Sequence, residues 1–231
     1  MNLNECQTFL LILWIIMKVR VFQGGYDKNF CYIIWCKESL RAAVIDPAVE
    51  PLEVFEFIEA NNLILEKILV THTHHDHIAF LDDFTFKFPN IKVYGYKKPV
   101  KKMDGNFIGL TNRQIVNIGK SIITAIYTPG HYPDCMCFWI LDEGFIFTGD
   151  TMFVGRTGRT ISSGSQIEDL YNSIYNILLK LPSSTLIHPG HNYGFSKTCT
   201  LKENIKYSSF FQCKNFTEFK LVMENYERNR K

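Results

Sequence analysis

Four histidines and an aspartate lie within seven consecutive residues of this chain, in the run THTHHDH at residues 71–77. In an extended segment alternate side chains point to the same side, so His72 and His74 can reach one metal ion together. Asp76 and His77 lie slightly further round the turn and can reach a second ion. The alternative is a solvated polar loop, but such a run rarely arises by chance. The spacing therefore predicts a metal site.

The elements that must position this run are predicted from the periodicity of apolar residues. Residues 64–70 form a strand that leads directly into the run. A helix is predicted to begin near Pro51, where proline is compatible with the first helical turn. Its residues Leu52, Phe55 and Ile58 recur at helical spacing, so we expect them to face a sheet.

Strands and helices alternate along the rest of the chain. Ser165 and Glu168 have the spacing of a capping box, so a helix is predicted to begin at Ser165. Further strands are predicted at residues 30–37, 41–45, 91–94, 121–127, 135–141, 145–148 and 185–188. Periodicity alone therefore indicates a mixed α/β fold.

Three later segments extend the pattern of the first run. They are TPGH at residues 128–131, FTGD at 147–150 and PGHNY at 189–193. In order and spacing, the four segments resemble the ligand motifs of the metallo-β-lactamase-fold hydrolases. Within that family they resemble the hydroxyacylglutathione hydrolase (glyoxalase II) and persulfide dioxygenase branches, over roughly residues 19–193. Phe80 departs from the pattern, because the first motif usually closes with a glycine.

The resemblance implies an α/β fold, the αββα sandwich of two mixed β-sheets flanked by helices, with metal ions at one sheet edge. It also implies a complete set of metal ligands. These are His72, His74 and His131 for one ion, Asp76, His77 and His191 for a second, and Asp150 as a bridge. Such nitrogen and oxygen donors suit Zn²⁺ and accept iron or manganese equally well. The expected cofactors are therefore two zinc, iron or manganese ions.

A site of this kind is expected to hydrolyse its substrate. Two metal ions can share a hydroxide whose parent water has a pKa lowered towards about 7, which gives a nucleophile at neutral pH. A thioester suits this chemistry because its thiolate leaves without a strong general acid, and no separate acid is obvious. Asp76 and Asp150 are the candidate catalytic residues. The expected function is metal-dependent thioester hydrolysis by a metal-bound hydroxide, similar to that of hydroxyacylglutathione hydrolase.

The resemblance implies two substrate contacts. Tyr193 stands where glyoxalase II has a tyrosine that contacts glutathione, and Arg159 stands where it has a basic residue. Ile161 departs from the polar residue expected two places after Arg159. Residues 192–231 are too few for the helical C-terminal domain that completes glutathione binding in glyoxalase II. We therefore expect a small-molecule thioester substrate and leave recognition of glutathione open.

The same residues permit a second activity. In a persulfide dioxygenase, His72, His131 and Asp150 would hold a single iron. Cys135 favours this alternative, because that branch has a cysteine four residues after the second-motif histidine, whereas Ile161 counts against it. A non-catalytic metal-binding protein would be expected to have lost some ligands, and none is missing. A β-lactamase would usually carry a cysteine in place of Asp150.

Composition limits the remaining possibilities. With 231 residues, of which 46% are hydrophobic, the chain can form one domain with a sizeable core. A net charge of +2 provides no basic surface signal for nucleic acid. Seven cysteines, an odd number without a CxxC pair, argue against a disulfide framework and for a reducing compartment. We expect a cytoplasmic protein with no nucleic-acid partner and no stable membrane insertion.

An apolar run at residues 9–17 precedes the predicted domain. It is too short to span a bilayer and lacks the basic residues that normally precede the core of a signal peptide. Met17 begins a segment that resembles the first strand of family members, which makes it a candidate translation start. The expected organisation is an N-terminal extension of residues 1–16 followed by a metallo-β-lactamase-fold domain of residues 17–231.

Overall fold

Two six-stranded β-sheets pack face to face, and helices cover the outer face of each. The computed structural model describes residues 17–229, so the expectations for residues 1–16 lie outside the described residues. The alternating apolar side chains of the strands close the space between the sheets. This is the αββα sandwich that the motifs implied, and the expected fold class is confirmed.

The first sheet begins antiparallel and continues parallel. Its strands lie side by side in chain order: β1 (Met17–Gly24), β2 (Asn29–Cys36), β3 (Arg41–Ile45), β4 (Ile64–Leu69), β5 (Lys92–Tyr96) and β6 (Phe107–Leu110). The first three pair antiparallel, whereas β3 to β6 are parallel. Parallel neighbours need a crossover, which α1 (Pro51–Ala60) and α2 (Leu81–Lys87) provide around β4.

The second sheet is antiparallel except at one pair. Its strands, also in chain order, are β7 (Gln114–Ile118), β8 (Ser121–Tyr127), β9 (Met136–Ile140), β10 (Phe145–Gly149), β11 (Leu186–Pro189) and β12 (Cys199–Thr200). Strands β10 and β11 are parallel, and α3 (Ile167–Asn172) lies in the connection between them. This helix continues as a π-helical turn over Ser173–Ile177 and a 3₁₀ turn over Leu178–Lys180.

Large apolar side chains fill the space between the sheets. Phe30 and Leu69 from the first sheet and Phe138 and Phe147 from the second are fully buried there. Burying each such side chain contributes about 1.5–3 kcal/mol relative to leaving it in water. The central core therefore holds together the two sheets whose ends carry the ligand motifs.

The segment after His191 forms helices that the sequence analysis did not predict. They are α4 (Leu201–Tyr207), a 3₁₀ turn over Ser209–Phe211 and α5 (Phe216–Arg228). Phe219 and Met223 of α5 are buried in the apolar layer that covers the second sheet. Within residues 17–229, no helix is long and apolar enough to cross a membrane.

The predicted buried face of α1 is partly wrong. Leu52 is 67% exposed, and the helix buries Val54 and Ile58 instead. With 3.6 residues per turn, positions 52 and 58 are about 120° apart around the helix, whereas positions 54 and 58 lie on one face. A spacing of six residues therefore does not define a single face.

The predicted capping box at Ser165 is also wrong. Helix α3 begins two residues later, at Ile167, and has no side-chain hydrogen bond at its N-cap. The Ser165 hydroxyl instead donates to the carbonyl oxygen of His131 at 2.6 Å. The Ser165 side chain thus bonds a residue distant in sequence, and not the helix N-terminus that the local pattern predicted.

Candidate metal centre

All four motif segments follow the carboxyl ends of strands. Strand β4 leads into residues 71–77, and β8, β10 and β11 lead to His131, Asp150 and His191. The seven predicted ligands are therefore gathered at one end of the sandwich. Their candidate ligand atoms lie within 4.8 Å of one another in three groups: His72, His74 and His131; His72, His77 and Asp150; and Asp76, His77 and His191.

Three histidine nitrogens converge in the first group. His74 Nδ1 lies 3.0 Å from His72 Nε2 and 3.0 Å from His131 Nε2. His131 Nδ1 donates to the carbonyl oxygen of Arg159 at 2.7 Å. His72 Nδ1 lies 3.1 Å from the Thr71 hydroxyl. In neutral rings these contacts leave the lone pairs of both Nε2 atoms directed inward, where they cannot bond each other but can bind a cation.

The second group has the same construction. His77 Nε2 lies 3.1 Å from His191 Nε2, and Asp76 Oδ2 is 3.4 Å from the latter. His77 Nδ1 lies 2.9 Å from Asp46 Oδ2. His191 Nδ1 donates to the carbonyl oxygen of Asp27 at 2.8 Å. The outer partner of each ring sets its orientation, as is usual for metal-binding histidines.

Asp150 lies between the two groups. Its Oδ1 is 3.2 Å from His77 Nε2, and its Oδ2 is 3.5 Å from His131 Nε2 and 3.4 Å from His191 Nε2. Although Oδ1 is buried, it makes no hydrogen bond within residues 17–229. A buried carboxylate oxygen without a hydrogen-bond partner, surrounded by histidine nitrogens, fits a metal cation.

The electrostatics of the centre agree with this assignment. Burial lowers the pKa of His74 to about 4 and that of His72 well below its usual range, which keeps both rings neutral. Burial alone would raise the pKa of Asp150, but His191 and His77 hold it well below its usual range. Neutral imidazoles beside an ionised carboxylate are the protonation states that metal binding requires.

Asp46 forms hydrogen bonds with residues of the predicted metal-binding run. Its Oδ1 accepts from the Thr71 backbone N–H at 2.7 Å, and its Oδ2 accepts from the Thr71 hydroxyl at 2.7 Å. Burial would lower the pKa of His77, but Asp150 and Asp46 raise it well above its usual range. This position therefore favours an added positive charge, which a metal cation would supply.

A further buried carboxylate, Asp134, was not predicted from the sequence. Its Oδ2 accepts from the Thr73 hydroxyl at 2.5 Å and from the Val100 backbone N–H at 2.8 Å. The only available signal was a charged residue three places after His131, at the start of a largely apolar strand. Asp134 thus joins the metal-binding run to the segment that follows β5.

The departure at Phe80 does not alter the path of the chain. Its φ of −113° is open to any residue, so the structure has no need of a glycine here. The Phe80 backbone N–H donates to the carbonyl oxygen of Pro47 at 3.0 Å. Helix α2 then begins at Leu81.

Comparison with known proteins agrees with the fold and the motifs. Residues 24–191 match the Metallo-beta-lactamase superfamily. The chain belongs to this superfamily.

Two curated relatives show where the chain falls within the metallo-β-lactamase superfamily. It is 32% identical over 194 residues to the probable polyketide biosynthesis zinc-dependent hydrolase PksB of Bacillus subtilis, with 83% of this chain and 84% of that protein covered. It is 36% identical over 180 residues to the hydroxyacylglutathione hydrolase of Francisella tularensis subsp. novicida, with coverage of 75% and 67%. The crystal structure of ETHE1 from Myxococcus xanthus superposes with a TM-score of 0.82 at 25% identity, covering 93% of this chain and 92% of that one.

In this metallo-β-lactamase-fold protein, a cavity of about 240 Å³ opens onto the metal centre. Five candidate ligands, His74, Asp76, His131, Asp150 and His191, line it. The other walls include Tyr26, Phe153, Arg156, Arg159, Ile161, Tyr193 and Tyr226. The cavity therefore places both predicted substrate contacts, Arg159 and Tyr193, beside the metal centre.

Tyr193 offers its ring rather than its hydroxyl to the cavity. The hydroxyl donates to Asp27 Oδ2 at 2.5 Å. The ring stacks on His191, with centroids 4.7 Å apart and planes 3° from parallel. Its role as a substrate contact stays a prediction.

Arg159 and Ile161 lie towards the cavity mouth. The Arg159 guanidinium is 4.0 Å from the Glu227 carboxylate, and its side chain is 38% exposed. Ile161 is 62% exposed. Arg156 and Tyr226 also line the cavity but were not predicted, because neither belongs to a motif and Tyr226 lies on the unpredicted helix α5.

The two remaining histidines lie outside the candidate ligand set. The His75 side chain is 70% exposed at the cavity mouth. His188 is buried, with its ring stacked on Phe147 at 4.9 Å and packed edge-on against Tyr32 at 5.5 Å. Burial lowers the pKa of His188 to about 4.

Proposed function

We propose that the protein is a metal-dependent hydrolase with a dinuclear site that cleaves a thioester, as hydroxyacylglutathione hydrolase does. The observation that carries this proposal is the position of Asp150, whose two oxygens lie within 3.5 Å of nitrogens from both histidine groups. His72, His74 and His131 form one group and Asp76, His77 and His191 a second, so the centre contains a candidate ligand set for each of two ions. Relatives named as hydroxyacylglutathione hydrolase and as zinc-dependent hydrolase support the same class of reaction.

Two zinc, iron or manganese ions, held by the seven candidate ligands, would supply a nucleophilic hydroxide at neutral pH and stabilise the oxyanion of the attacked carbonyl. The protein itself orients the reacting groups. Asn29 Nδ2 donates to Asp76 Oδ2 at 2.8 Å and holds that carboxylate towards the centre. Although burial would raise the pKa of Asp150, His191 and His77 hold it well below its usual range, so this residue would hold the ions as a carboxylate. A thiolate leaving group needs no strong acid, and the cavity walls provide none at the centre.

Arg159 and Tyr193 are proposed to contact the thiol part of the substrate. Both lie on the cavity wall beside the centre. A guanidinium and an aromatic ring suit an anionic, partly apolar thiol compound. A small-molecule substrate is proposed because the cavity, at about 240 Å³, is below the roughly 300–1,000 Å³ of pockets that enclose drug-sized ligands. The free cysteines of the described residues, six in all, support a cytoplasmic location.

The persulfide dioxygenase remains the second candidate. His131 Nε2 lies 3.5 Å from Asp150 Oδ2, and His72 is in the same cluster, so the three residues that would hold one iron are also assembled. The similarity to ETHE1 and the presence of Cys135 favour this candidate. Cys135, however, is buried at 1% exposure and does not line the cavity.

Metal analysis of the purified protein, run with a hydroxyacylglutathione hydrolysis assay and an oxygen electrode, separates the two candidates. We expect close to two ions per chain and hydrolysis without oxygen consumption. His77→Ala and His74→Ala, which each damage one group, should each retain about one ion. If His77→Ala retains a single iron and consumes oxygen with a persulfide as substrate, the protein is a persulfide dioxygenase and the proposed hydrolase function is wrong.

A further inference from the structure

The cavity wall contains an arginine that forms no ion pair within residues 17–229. Arg156 follows β10 and lines the cavity together with Tyr193 and Tyr226. Its guanidinium carbon lies 4.2 Å from the centre of the Tyr193 ring and 5.7 Å from that of Tyr226. Its Nη1 donates to the Tyr226 hydroxyl at 2.7 Å. Two aromatic rings thus hold the guanidinium in place at the cavity surface.

Two observations show that this arrangement is incomplete. Arg156 Nε is buried but makes no hydrogen bond within residues 17–229. In the same part of the chain, Arg156 forms no ion pair. A buried donor without an acceptor is destabilising, and a positive charge held by aromatic rings alone is not neutralised. A ligand that brings its own anion would neutralise this charge.

We propose that Arg156 determines substrate specificity by binding a carboxylate, and that the preferred substrate is a compact thioester carrying that carboxylate. That the substrate is a thioester rests on the proposed hydrolase function, but the anion site itself does not depend on that function. A guanidinium presents parallel N–H donors that match the two oxygens of a carboxylate. With Nη1 engaged by Tyr226 and Nε buried, Nη2 is the donor left for the ligand.

Arg159 is less suited to be the main anion contact. Its guanidinium already lies 4.0 Å from the Glu227 carboxylate, and 38% of its side chain is exposed to solvent. Exposed charges are screened by water and contribute little to binding. Arg156 lacks such a partner and is shielded by two rings, so its attraction for an anion is stronger.

The position of Arg156 also limits where the carboxylate can be on the substrate. The Tyr193 ring stacks on His191 with centroids 4.7 Å apart, and the same ring lies beside the Arg156 guanidinium. One aromatic ring therefore separates the anion site from a candidate metal ligand. A substrate that reaches both must therefore separate its carboxylate from the scissile carbonyl by about the space that this ring occupies, which agrees with the small cavity.

The test uses two non-hydrolysable thioethers of equal size, one with a carboxylate and one with the corresponding primary amide. Calorimetric titration of the metal-loaded wild-type protein should show the carboxylate binding roughly 10- to 100-fold more tightly, as expected for one charge-assisted pair. Arg156→Gln should bind both compounds equally. Arg156→Lys should recover part of the preference, because it restores the charge without the paired donors.

A control variant separates the charge at the cavity wall from charge elsewhere on the protein. Arg113→Gln removes the same charge from an exposed position outside the cavity and should retain the carboxylate preference. If Arg156→Gln fails to fold, the wild type and Arg156→Lys still decide, because a wild type without a preference overturns the proposal.

The same titrations distinguish failure of this inference from failure of the proposed function. The protein could show a carboxylate preference that depends on Arg156 and yet hydrolyse no thioester. That result would support the anion site and contradict the proposed hydrolase function. Thioester hydrolysis with equal affinity for both compounds, or a preference that survives in Arg156→Gln, would overturn the role of Arg156 and leave the hydrolase intact.

Discussion

The metal centre and the cavity wall that faces it are built in different ways. Four of the five inward-facing histidines of the centre are held by a second contact, as His77 is by Asp46 and His131 by the carbonyl oxygen of Arg159. The facing wall uses long side chains, such as that of Arg156, from the segment after β10 and from α5. The centre is therefore built from short contacts near the strand ends and the wall from long side chains of distant segments, so the same metal chemistry can serve substrates that differ in their recognition groups.

The largest effect is expected where the two metal groups meet. Asp150→Ala should abolish thioester hydrolysis and lower the metal content, because both carboxylate oxygens lie between the groups. The loss should appear in kcat at saturating substrate, and metal analysis should accompany the kinetics. Asp142→Ala, at an exposed position in the turn before β10, is the matched control and should retain both. Full activity in Asp150→Ala would contradict the bridging role.

The second contacts of the histidines can be tested at Asp46. Asp46→Asn should weaken metal binding by about 10- to 100-fold, the usual effect of removing the partner of a ligand histidine. The amide nitrogen that replaces one oxygen cannot accept from Thr71 or His77. Competition with a chromogenic chelator measures the change, and Asp82→Asn on the exposed side of α2 provides the control. Unchanged metal affinity would show that the centre is not constrained in this way.

His188 lies three residues before the candidate ligand His191 but is not itself a candidate ligand. Burial lowers its pKa in the folded protein to about 4, so between about pH 6.5 and pH 4 the unfolded chain binds a proton that the folded protein does not. This contribution to stability is present above pH 6.5 and is lost as the pH falls towards 4, by up to about 3 kcal/mol.

His188→Phe should therefore flatten the pH dependence of the free energy of unfolding over this range. Urea denaturation at several pH values measures the difference between wild type and variant, in which the other titrating groups cancel. Parallel pH profiles for the two proteins would show that His188 does not remain neutral in the core.

The smallest effect is expected on the cavity wall. Arg159→Ala should raise KM by roughly tenfold, about 1.4 kcal/mol, and leave kcat nearly unchanged, because the proposed contact is similar in the ground and transition states. The effect is modest because Glu227 and solvent already share this charge. Steady-state kinetics with an anionic thioester measures it. A fall in kcat with constant KM would place Arg159 in the constrained centre instead of on the wall.

The sequence alone was sufficient for the metal centre because its chemistry restricts residue type and short-range spacing. His72 and His74 must alternate on an extended segment to share an ion, and a buried strand must precede them. Four motifs in family order then implied the αββα sandwich. The fold, and the candidate ligands that the structure gathers at one end of the sandwich, were therefore within reach before any contact was known.

Only the tertiary structure decided what surrounds the centre. Ser165 bonds the ligand segment instead of capping α3, and Arg156 meets Tyr226 across 70 residues of sequence. Neither contact has a local signature, because each depends on where α3 and α5 pack against the second sheet. The residue types and spacing of the candidate ligands follow from what a metal ion requires, so they could be predicted from the sequence. The residues of the facing wall come together only through the packing of distant segments, so they had to be observed in the structure.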